Sequence, residues 1–531
     1  MNLRLAGALA LSLTGLACGG RPAFWSDAPS GAEAFGLSNA VALHDRAAQR
    51  VVTLGVGADG GLTKTSFPTG KDVVATAVDA NGTRLFLLSA GHRGGLGDTQ
   101  PDEAPRLTIV DGSAATPASR VVDLGDVLSD PLDGLTIDPT GQWAVLYARG
   151  AQGAFVTNPN ELVVVGLALD AAKPVPVTLH SFGGRPEKLV FTPELSLPGQ
   201  AGKSHLLVVQ SAQDLSLVSL DHPERPEITV RLADADAASA PRPAEIVVDD
   251  GDPAKTDDAR IGIRFENDTS VMTLQLTPAP GPNGFAPVPN VTDVGGVPSA
   301  LAFVRTDGGL RLAALVPDRV RAVLVDPVTT ITSEVALPTA YHSVSLVTAA
   351  TSTTAAGVDV ALLWNGSAGQ AGVAFWELGQ AAGRPFRSLE TVAVADTVTG
   401  VLDVSGPNAT SKVLSTAQGS VFYVLDLAQR TATPLLTARP GVALFVSPTG
   451  ARVWTFEKGG TALAATDLAT KHVRTLHLDE PASAVFEIAG GAGRTLVVLH
   501  DFGGVGATLL DANDPNDNQR RLYGALLTEV P

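Results

Sequence analysis

The sequence of 531 residues has a single cysteine, Cys18, and only 5% aromatic residues. One cysteine excludes a disulfide within the chain and a thiolate metal site. Basic residues are also scarce: 37 Lys and Arg against 54 Asp and Glu give a net charge of −17, which makes nucleic acid an unfavourable partner. After residue 18, no uncharged apolar run reaches the length of about 18 residues that a membrane-spanning helix needs.

The N-terminal segment has the features of an export signal. Residues 1–17, MNLRLAGALALSLTGLA, contain one positive charge, Arg4, and a short apolar core that ends directly before Cys18. Residues 14–18, TGLAC, resemble the lipobox of bacterial lipoproteins. The resemblance implies a cleaved signal peptide, a lipid on Cys18 and attachment to the bacterial cell envelope, and Gly19 in place of a retention aspartate implies the outer membrane. The alternative is an ordinary cleaved signal that happens to contain a cysteine.

Residues 18–37 form a second segment of distinct composition. They are rich in Gly, Pro, Ala and Ser, which is typical of flexible linkers. We interpret this segment as the lipidated cysteine followed by a tether, and we expect the folded domain to occupy residues 38–531.

From residue 38 onward, short apolar runs alternate with turns. The chain contains 36 prolines and 55 glycines, which interrupt it too often for long helices. One phrase recurs, an apolar strand, a polar turn with glycine and a second apolar strand, most clearly in residues 75–88, 135–146 and 444–456. The turns at Asp79 and Gly490 lie about eight units apart, and the resulting spacing of roughly 51 residues is typical of propeller blades. We therefore predict an all-β chain that folds as a single β-propeller of four-stranded blades.

The clearest units resemble a known superfamily. Residues 447–450, SPTG, join the first two strands of one unit, and the third strand ends in Asp-Leu in residues 421–427 and 462–468. In these phrases the chain resembles the YVTN-type and lactonase-like β-propellers. Seven or eight blades are favoured, although the sequence contains nearer nine units and a three-stranded fragment at residues 41–67. That fragment is expected to close the ring by pairing with C-terminal strands near residues 521–527.

No catalytic motif is present in the sequence. The nine histidines are scattered, none lies in an HExxH arrangement, and there is no G-x-S-x-G elbow, P-loop or dinucleotide fingerprint. Because a propeller brings distant residues to one central funnel, spacing alone does not exclude a site assembled from several blades.

Two acidic clusters are candidates for a calcium site. Hard cations require several oxygen ligands on one loop, and both clusters carry such oxygens. The first consists of Asp249, Asp250 and Asp252, and the second of Asp511, Asp514 and Asp517. Neither has the spaced pattern of an EF-hand, and Asp, Asn, Gly and Pro are also common in hairpin loops, which is the alternative interpretation.

Two tryptophans, Trp364 and Trp376, flank an Asn-Gly-Ser loop. Exposed aromatic rings at this place would stack on sugars or anchor a protein partner. Packing in the core of the strands is the alternative.

These features favour a non-enzymatic role. We expect an envelope-anchored lipoprotein that contacts the membrane through its N-terminal lipid and whose propeller binds a protein or polysaccharide partner. The first alternative is a lactonase-like hydrolase with a metal in the central funnel. The second is a structural subunit of a larger envelope assembly.

Overall fold

The computed structural model describes residues 33–92, 102–127, 132–150, 158–168, 174–180, 184–200, 202–232, 241–252, 255–347, 359–366, 372–379, 389–437, 443–490, 493–500, 506–516 and 519–522. Within these ranges the chain forms ten four-stranded antiparallel sheets, and the strands of each sheet follow one another in sequence order. The fourth sheet carries an additional two-stranded hairpin between its first and second strands. The chain is therefore a single all-β propeller with ten blades.

The strands of the first five blades have the following bounds. They are β1 (Glu33–Gly36), β2 (Ala40–Asp45), β3 (Arg50–Val56) and β4 (Leu62–Pro68); β5 (Val73–Val78), β6 (Arg84–Ser89), β7 (Arg106–Asp111) and β8 (Ala118–Asp123); β9 (Gly134–Ile137), β10 (Trp143–Tyr147), β11 (Glu161–Gly166) and β12 (Val175–Thr178); β13 (Lys188–Phe191), the hairpin β14 (Leu195–Ser196) and β15 (Lys203–Ser204), β16 (Leu206–Gln210), β17 (Asp214–Ser219) and β18 (Ile228–Arg231); β19 (Pro243–Asp249), β20 (Arg260–Phe265), β21 (Ser270–Pro278) and β22 (Phe285–Asp293).

The strands of the last five blades continue the same pattern. They are β23 (Ala300–Thr306), β24 (Gly309–Val316), β25 (Arg321–Val325) and β26 (Thr332–Ala336); β27 (Ser343–Val347), β28 (Val360–Trp364), β29 (Val373–Glu377) and β30 (Leu389–Val392); β31 (Val398–Asp403), β32 (Ser411–Thr416), β33 (Val421–Asp426) and β34 (Thr431–Leu436); β35 (Ala443–Val446), β36 (Arg452–Phe456), β37 (Ala462–Asp467) and β38 (Val473–His477); β39 (Ala484–Gly490), β40 (Gly493–Leu499), β41 (Ala507–Asp511) and β42 (Arg520–Leu522). Short 3₁₀ helices lie at Pro317–Arg319 and Gly406–Asn408. In the part of the chain that the structure describes, no helix has the length and apolar character needed to span a membrane.

The place of a strand within its blade determines its burial. Second and third strands lie in the middle of each blade, and every residue of β2 and β3 is buried because both faces pack against neighbouring blades. Fourth strands are outermost, and in β26 exposed and half-buried residues alternate. First strands of neighbouring blades contact one another, as β5 does with β9 and β19 with β23. First strands therefore surround the centre of the ring.

Apolar side chains pack between neighbouring blades. The described residues form ten buried clusters, each built from the facing surfaces of two consecutive blades. Phe86 and Leu146, for example, join the second and third blades. Another cluster contains Val41 of the first blade and Val497 of the last blade. The ring is therefore closed, and the first blade has no exposed face at the junction.

The junction between the first and last blades is made by packing and not by a shared sheet. The amide of Ala489 donates a hydrogen bond of 2.8 Å to the carbonyl oxygen of Ser38, and Arg520 Nη1 donates one of 2.6 Å to the carbonyl oxygen of Gly60. The strands β1–β4 form one sheet and β39–β42 another. Among the described residues, the expected pairing of N-terminal with C-terminal strands does not occur, because each terminal blade contains four strands of its own; residues 523–527 lie outside the described part of the chain.

The preference for seven or eight blades is also wrong, because ten are present in the described chain. Each repeat unit forms its own blade, and none merges with a neighbour. The three-stranded fragment at residues 41–67 corresponds to β2–β4 of a complete blade. Its first strand, β1, begins at Glu33, inside the segment 18–37 that the sequence analysis interprets as a tether. With four residues and one glycine, EAFG, this strand has too short an apolar pattern to be recognised.

The turns between first and second strands have the predicted geometry. A glycine with positive φ lies in each of the three clearest copies, at Gly82 (+63°), Gly141 (+70°) and Gly450 (+65°). In the second blade, Asp79 Oδ1 accepts hydrogen bonds from the amides of Thr83 at 2.6 Å and Arg84 at 3.1 Å. Burial raises the pKa of Asp79, but the hydrogen bonds that its carboxylate accepts outweigh burial and hold that pKa below its ordinary value.

Candidate functional site

The strand order gives the ring two distinct faces. Because the strands of a blade alternate in direction, the connections between first and second strands and between third and fourth strands lie on one face, which we call the turn face. The connections between second and third strands, and the linkers between blades, lie on the opposite face, which we call the linker face. Clefts lie on both faces, and two of them are described below.

The linker-face cleft has a volume of about 610 Å³ and spans the third, fourth and fifth blades. Its walls come from the end of β10, the linkers before β13 and β19, and the ends of β16 and β20. The lining residues are Tyr147, Arg149, Arg185, Pro186, Glu187, Lys188, Gln210, Arg242, Pro243, Ala244 and Glu266. The cleft is thus assembled from three blades whose contributing residues are far apart in the sequence.

Cationic side chains outnumber carboxylates in the linker-face cleft. Four lining residues are Arg or Lys and two are Glu, which leaves an excess of two positive charges in a chain whose net charge is −17. Arg242 Nη2 donates to both carboxylate oxygens of Glu187 at 2.8 Å. The hydrogen bonding and charge of Glu187 raise the pKa of Arg242 above its ordinary value. Arg149, Arg185 and Lys188 are the remaining cations of the lining.

The arginines at the edge of this cleft are held by backbone and aromatic neighbours. The guanidinium of Arg149 lies 5.7 Å from the ring centroid of Tyr147, a cation–π contact. Arg185 Nη1 lies where a Cβ on Gly150 would stand, only 1.7 Å from that position, and Gly150 has a φ of +77°. Glycine at residue 150 therefore lets this guanidinium approach the backbone.

A repeated dipeptide positions two of the cleft residues. Arg185-Pro186 precedes β13, and Arg242 directly precedes Pro243, the first residue of β19, so the same Arg-Pro pair occurs at the start of two successive blades. Proline fixes its own φ and favours extended backbone at the residue before it, which directs both arginines in a similar way. Arg-Pro also occurs at residues 21–22, 225–226, 384–385 and 439–440, so the pair alone does not reveal the cleft in the sequence.

One further cleft residue has an unmatched polar atom. Gln210, at the end of β16, is 4% exposed, and its Oε1 has no hydrogen-bond partner among the described residues. A buried amide oxygen without a donor is unfavourable, but because this oxygen has no exposed surface it does not offer a contact to a ligand in the cleft.

On the turn face, a second cleft of about 560 Å³ lies between the fifth and sixth blades. It is lined by the loop between β19 and β20 and by two turns of the sixth blade. The first predicted calcium cluster lies in this region, with Asp252 in the lining.

The carboxylates of the first acidic cluster have three separate sets of partners. Asp249 accepts a hydrogen bond from the amide of Gly251 at 2.7 Å and pairs with Arg305 Nη2 at 3.4 Å. Burial raises the pKa of Asp249 above its ordinary value. The Asp250 carboxylate lies 3.2 Å from both Ser196 Oγ and Lys203 Nζ. Asp252 is exposed and lies 3.9 Å from Lys255 Nζ.

The second acidic cluster forms a turn after β41. Asp511 Oδ1 accepts hydrogen bonds from the amide of Asn513 at 2.8 Å and from that of Asp514 at 3.4 Å. Asp517 lies outside the described residues. Across the described ranges, no group of three or more His, Cys, Asp or Glu side chains is arranged to hold a metal ion.

The two tryptophans occupy the seventh blade. Trp376, in β29, is fully buried at 0% exposure and packs between the sixth and seventh blades. Trp364, in β28, is partly buried and packs against the cluster between the seventh and eighth blades. The structure therefore places the Trp376 ring in the core, away from any surface that a partner would contact.

Three histidines, His44, His205 and His500, are buried, but they belong to different blades. The His205 ring packs against Trp143 with 4.5 Å between centroids. Nε2 of His500 lies 2.7 Å from Thr508 Oγ1. These side chains are structural, and they do not converge on one site.

The export signal, Cys18 and most of the predicted tether lie in residues 1–32, outside the described part of the chain. The linker-face cleft is the candidate site on which the functional proposal is built.

No family model and no curated protein matches the chain. Among solved structures, it is similar to dihydro-heme d1 dehydrogenase NirN in complex with DHE, with 13% identity, 86% of this chain and 75% of that chain covered, and a TM-score of 0.38. Apo AztD from Citrobacter koseri shows 11% identity over 77% of this chain and 96% of its own, with a TM-score of 0.34. Virginiamycin B lyase from Staphylococcus aureus shows 10% identity over 53% of this chain and 84% of its own, with a TM-score of 0.27. Similarity at this level assigns neither a family nor an activity, and the chain is classified by its own topology as a ten-bladed β-propeller.

Proposed function

We propose that the chain is an envelope-anchored, non-enzymatic β-propeller that binds an acidic polysaccharide in its linker-face cleft. The observation that carries this proposal is the excess of arginine and lysine in the linker-face cleft of a strongly acidic chain. An acidic surface repels polyanions, so a local group of cations directs such a ligand to one place.

The chemistry of the cleft suits a sugar acid. Arginine guanidinium groups bind carboxylates through two parallel hydrogen bonds, and Arg149 and Arg185 are available at the rim for this role. The carboxylate of Glu266, an exposed residue of the lining, is an acceptor for a sugar hydroxyl. The Tyr147 ring adds an aromatic surface next to these polar groups. Carboxylate, hydroxyl and ring face are the three features of a uronic acid residue.

The lactonase-like alternative receives less support. It requires carboxylate, amide or histidine ligands that converge on a metal, and the described residues hold no group of three or more candidate ligands in such an arrangement. The binding role needs only the cations and acceptors that line the cleft.

The binding proposal is tested with the purified full-length chain and polygalacturonate or alginate as probe, with neutral dextran as the comparison. We expect the acidic glycans to bind, with an affinity that falls as salt is added. Arg149→Glu and Arg185→Glu should each weaken binding by about tenfold or more, because each replaces attraction by repulsion.

The matched control is Arg474→Glu, which makes the same charge change at an exposed residue of β38 in the ninth blade. It should bind like the wild type. Equal losses in all three variants, or equal binding of dextran, would show that the linker-face cleft does not select the glycan. Binding of an acidic protein but of neither acidic glycan would also overturn the proposal.

The anchor is a separate part of the proposal and rests on the resemblance of residues 14–18 to a lipobox. Cys18→Ser removes the sulfur that would carry the lipid. We expect this variant to leave the membrane fraction while keeping the circular dichroism spectrum of the wild type. Fractionation of the producing bacterium measures the distribution, and normal membrane attachment of Cys18→Ser would contradict lipid anchoring.

A further inference from the structure

A further pocket, of about 400 Å³, opens on the turn face beside the centre of the ring. Its walls come from the first strands of the ninth, tenth and first blades, from the start of β40, and from the turns after β1, β5 and β35. We call it the central pocket, and every lining residue lies in the described part of the chain. It shares no lining residue with the linker-face cleft, so its chemistry is independent of the glycan proposal.

Apolar side chains form a large part of the wall of the central pocket. They belong to Leu37, Phe445, Val446, Pro448, Val485 and Phe486. Phe445 and Phe486 are only half-buried, so their rings remain partly accessible. Phe486 Cδ1 lies 2.8 Å from where a Cβ on Gly36 would stand, so this glycine makes room for the ring. The two rings offer a surface on which a flat apolar group packs favourably.

This aromatic surface is confined to one sector of the ring. The third residue of the first strand is Phe35 in β1, Phe445 in β35 and Phe486 in β39. At the same place the other described first strands have Ala, Thr, Val, Glu, Ser or Gly. The aromatic residues are therefore a property of three adjacent blades and not of the repeat unit.

At the second-blade side of the pocket, the polar groups bond to one another. The carbonyl oxygen of Gly82 accepts hydrogen bonds from the amide of Ser38 at 2.7 Å and from Ser38 Oγ at 3.2 Å. These bonds hold the first and second blades together. The charged partner of a ligand must therefore come from the opposite side of the pocket, where Glu487 and Arg494 lie.

The carboxylate of Glu487 is saturated by donors of the protein. Its Oε1 accepts hydrogen bonds from Ser447 Oγ at 2.8 Å and from Arg494 Nε at 2.5 Å. Its Oε2 accepts one from Trp454 Nε1 at 2.7 Å. Because both oxygens are engaged and the residue is 8% exposed, Glu487 does not provide a site for a cationic ligand.

Arg494, in contrast, is bonded on one side only. Its Nη2 lies 3.3 Å from the carbonyl oxygen of Glu487, so the guanidinium stands next to the strand that carries Phe486. Its Nη1 makes no hydrogen bond within the described chain, yet it is not among the buried atoms. The side chain is 19% exposed. Arg494 therefore holds an accessible donor beside the aromatic surface, and a guanidinium binds carboxylates strongly.

Aromatic rings next to a guanidinium with a free donor suit a ligand that combines a ring with an anion. A cationic ligand would be repelled by Arg494, and a purely apolar one would leave Nη1 without an acceptor. We propose that the central pocket binds a small aromatic carboxylic acid, with its ring on Phe445 and Phe486 and its carboxylate at Arg494 Nη1. The volume of the pocket lies within the range of about 300–1,000 Å³ that is typical of small-molecule sites.

The proposal is tested by calorimetric titration of the purified full-length chain with benzoate and naphthalenecarboxylate. Three comparison compounds each change one feature. Naphthamide removes the negative charge, naphthylmethylamine reverses it, and octanoate replaces the ring by an aliphatic chain. We expect naphthalenecarboxylate to bind, and each comparison compound to bind about tenfold or more weakly.

Two variants separate the charged contact from the aromatic one. Arg494→Gln should weaken naphthalenecarboxylate by about tenfold or more and leave naphthamide nearly unchanged, because only the carboxylate depends on the guanidinium. Phe445→Leu should weaken both compounds by about fivefold, because both pack on the ring.

Matched controls make the same changes away from the central pocket. Arg474→Gln alters an exposed arginine of β38, and Phe191→Leu alters a half-buried phenylalanine of β13 in the fourth blade. Both should bind like the wild type. Circular dichroism identifies a variant that fails to fold, and Phe445→Leu remains a valid test if Arg494→Gln does so.

Three outcomes would overturn the inference. They are the absence of binding by both aromatic acids, binding of octanoate or naphthylmethylamine as tight as that of naphthalenecarboxylate, and unchanged binding in both Arg494→Gln and Phe445→Leu. Loss of glycan binding in the Arg149 and Arg185 variants leaves this result unaffected, because those residues line the linker-face cleft.

Discussion

At the scale of single residues, most buried charged side chains have an ion-pair or hydrogen-bond partner, and a few have none among the described residues. Arg50, fully buried on β3, pairs with Asp45 at 3.0 Å. Glu487 accepts hydrogen bonds from Ser447 Oγ at 2.8 Å and Trp454 Nε1 at 2.7 Å, between the last two blades. Such satisfied groups add specificity to the packing of blades. An unmatched group that titrates is a position where pH is expected to act on stability.

One unmatched residue makes stability depend on pH. His44, on β2, is fully buried, and neither ring nitrogen has a hydrogen-bond partner among the described residues. Burial, together with the charge of Arg46, lowers the pKa of His44 below its ordinary 6.5. Below that pH the unfolded chain takes up a proton that the folded chain does not, so the folded state loses stability as pH falls.

We therefore expect the thermal unfolding temperature to be lower at about pH 5 than at about pH 7. The difference should be smaller in His44→Leu, because leucine has no proton to bind. Differential scanning calorimetry at several pH values measures the difference. His472→Leu, at an exposed position, should keep the wild-type pH dependence. Identical pH profiles for wild type and His44→Leu would contradict the assigned role of His44.

At the scale of elements, the strand and turn phrases of the sequence were sufficient to locate the inner strands. The weak copies at Leu189, Ile246 and Val485 all lie in first strands, β13, β19 and β39. They were recognisable because each is a short continuous apolar run bounded by turn residues. The contacts that each turn makes were not recognisable in this way.

The turn of residues 447–450 illustrates those contacts. Ser405 Oγ, from the eighth blade, donates to the carbonyl oxygen of Pro448 at 2.8 Å, and Asn408 Nδ2 donates to that of Gly450 at 2.9 Å. A Cβ on Gly450 would stand only 1.8 Å from the Ser405 carbonyl oxygen. This glycine is thus required both by its backbone conformation and by the neighbouring blade.

Two glycines of the ninth blade distinguish the requirement for a positive φ from the requirement for space beside the neighbouring blade. Gly450 and Gly459 have φ of +65° and +79°, but a Cβ on Gly459 would meet nothing within 4 Å. Gly459→Ala should destabilise the protein by about 1–2 kcal/mol, the cost of a left-handed alanine. Gly450→Ala should lower the thermal unfolding midpoint clearly further. Equal midpoints for the two variants would show that the contact with Ser405 is unimportant.

At the scale of the whole molecule, each blade is stabilised by its two neighbours. Every pair of consecutive blades in the described chain shares a buried apolar cluster, including the first and last. β39 contacts β1, β2 and β3 across the junction. The Phe486 ring lies 2.8 Å from where a Cβ on Gly36 would stand, so this aromatic residue packs on the backbone of β1. Closure therefore depends on β1.

Two truncated chains test this dependence. A chain that starts at residue 38 lacks β1, whereas one that starts at residue 31 retains it. We expect the shorter chain to expose apolar surface at the junction, to bind the dye ANS and to unfold at a lower temperature. The longer chain should behave like the mature protein, and equal melting of both would show that β1 does not close the ring.

The candidate site was less accessible to sequence reasoning than the fold. Arg149, Arg185 and Arg242 lie in three segments, and each segment alone is an ordinary loop with a charged residue. The first acidic cluster was predicted as a calcium site because its residues are adjacent in sequence. In the structure, Asp249 and Asp250 nevertheless pair with different side chains, Arg305 and Lys203. Sites in a ring of blades are formed by residues from neighbouring repeats. The sequence of one repeat does not specify how the neighbouring blades are oriented.

The sequence by itself determined the strands, the turns and the four-stranded unit, because these depend on local patterns of apolar residues, glycine and aspartate. It also contained the resemblance to an export signal on which the anchor proposal rests. Only the tertiary structure decided the number of blades, the way the ring closes and the position of the two clefts. These features depend on how large surfaces from distant segments pack together, and no short stretch of the chain specifies that packing.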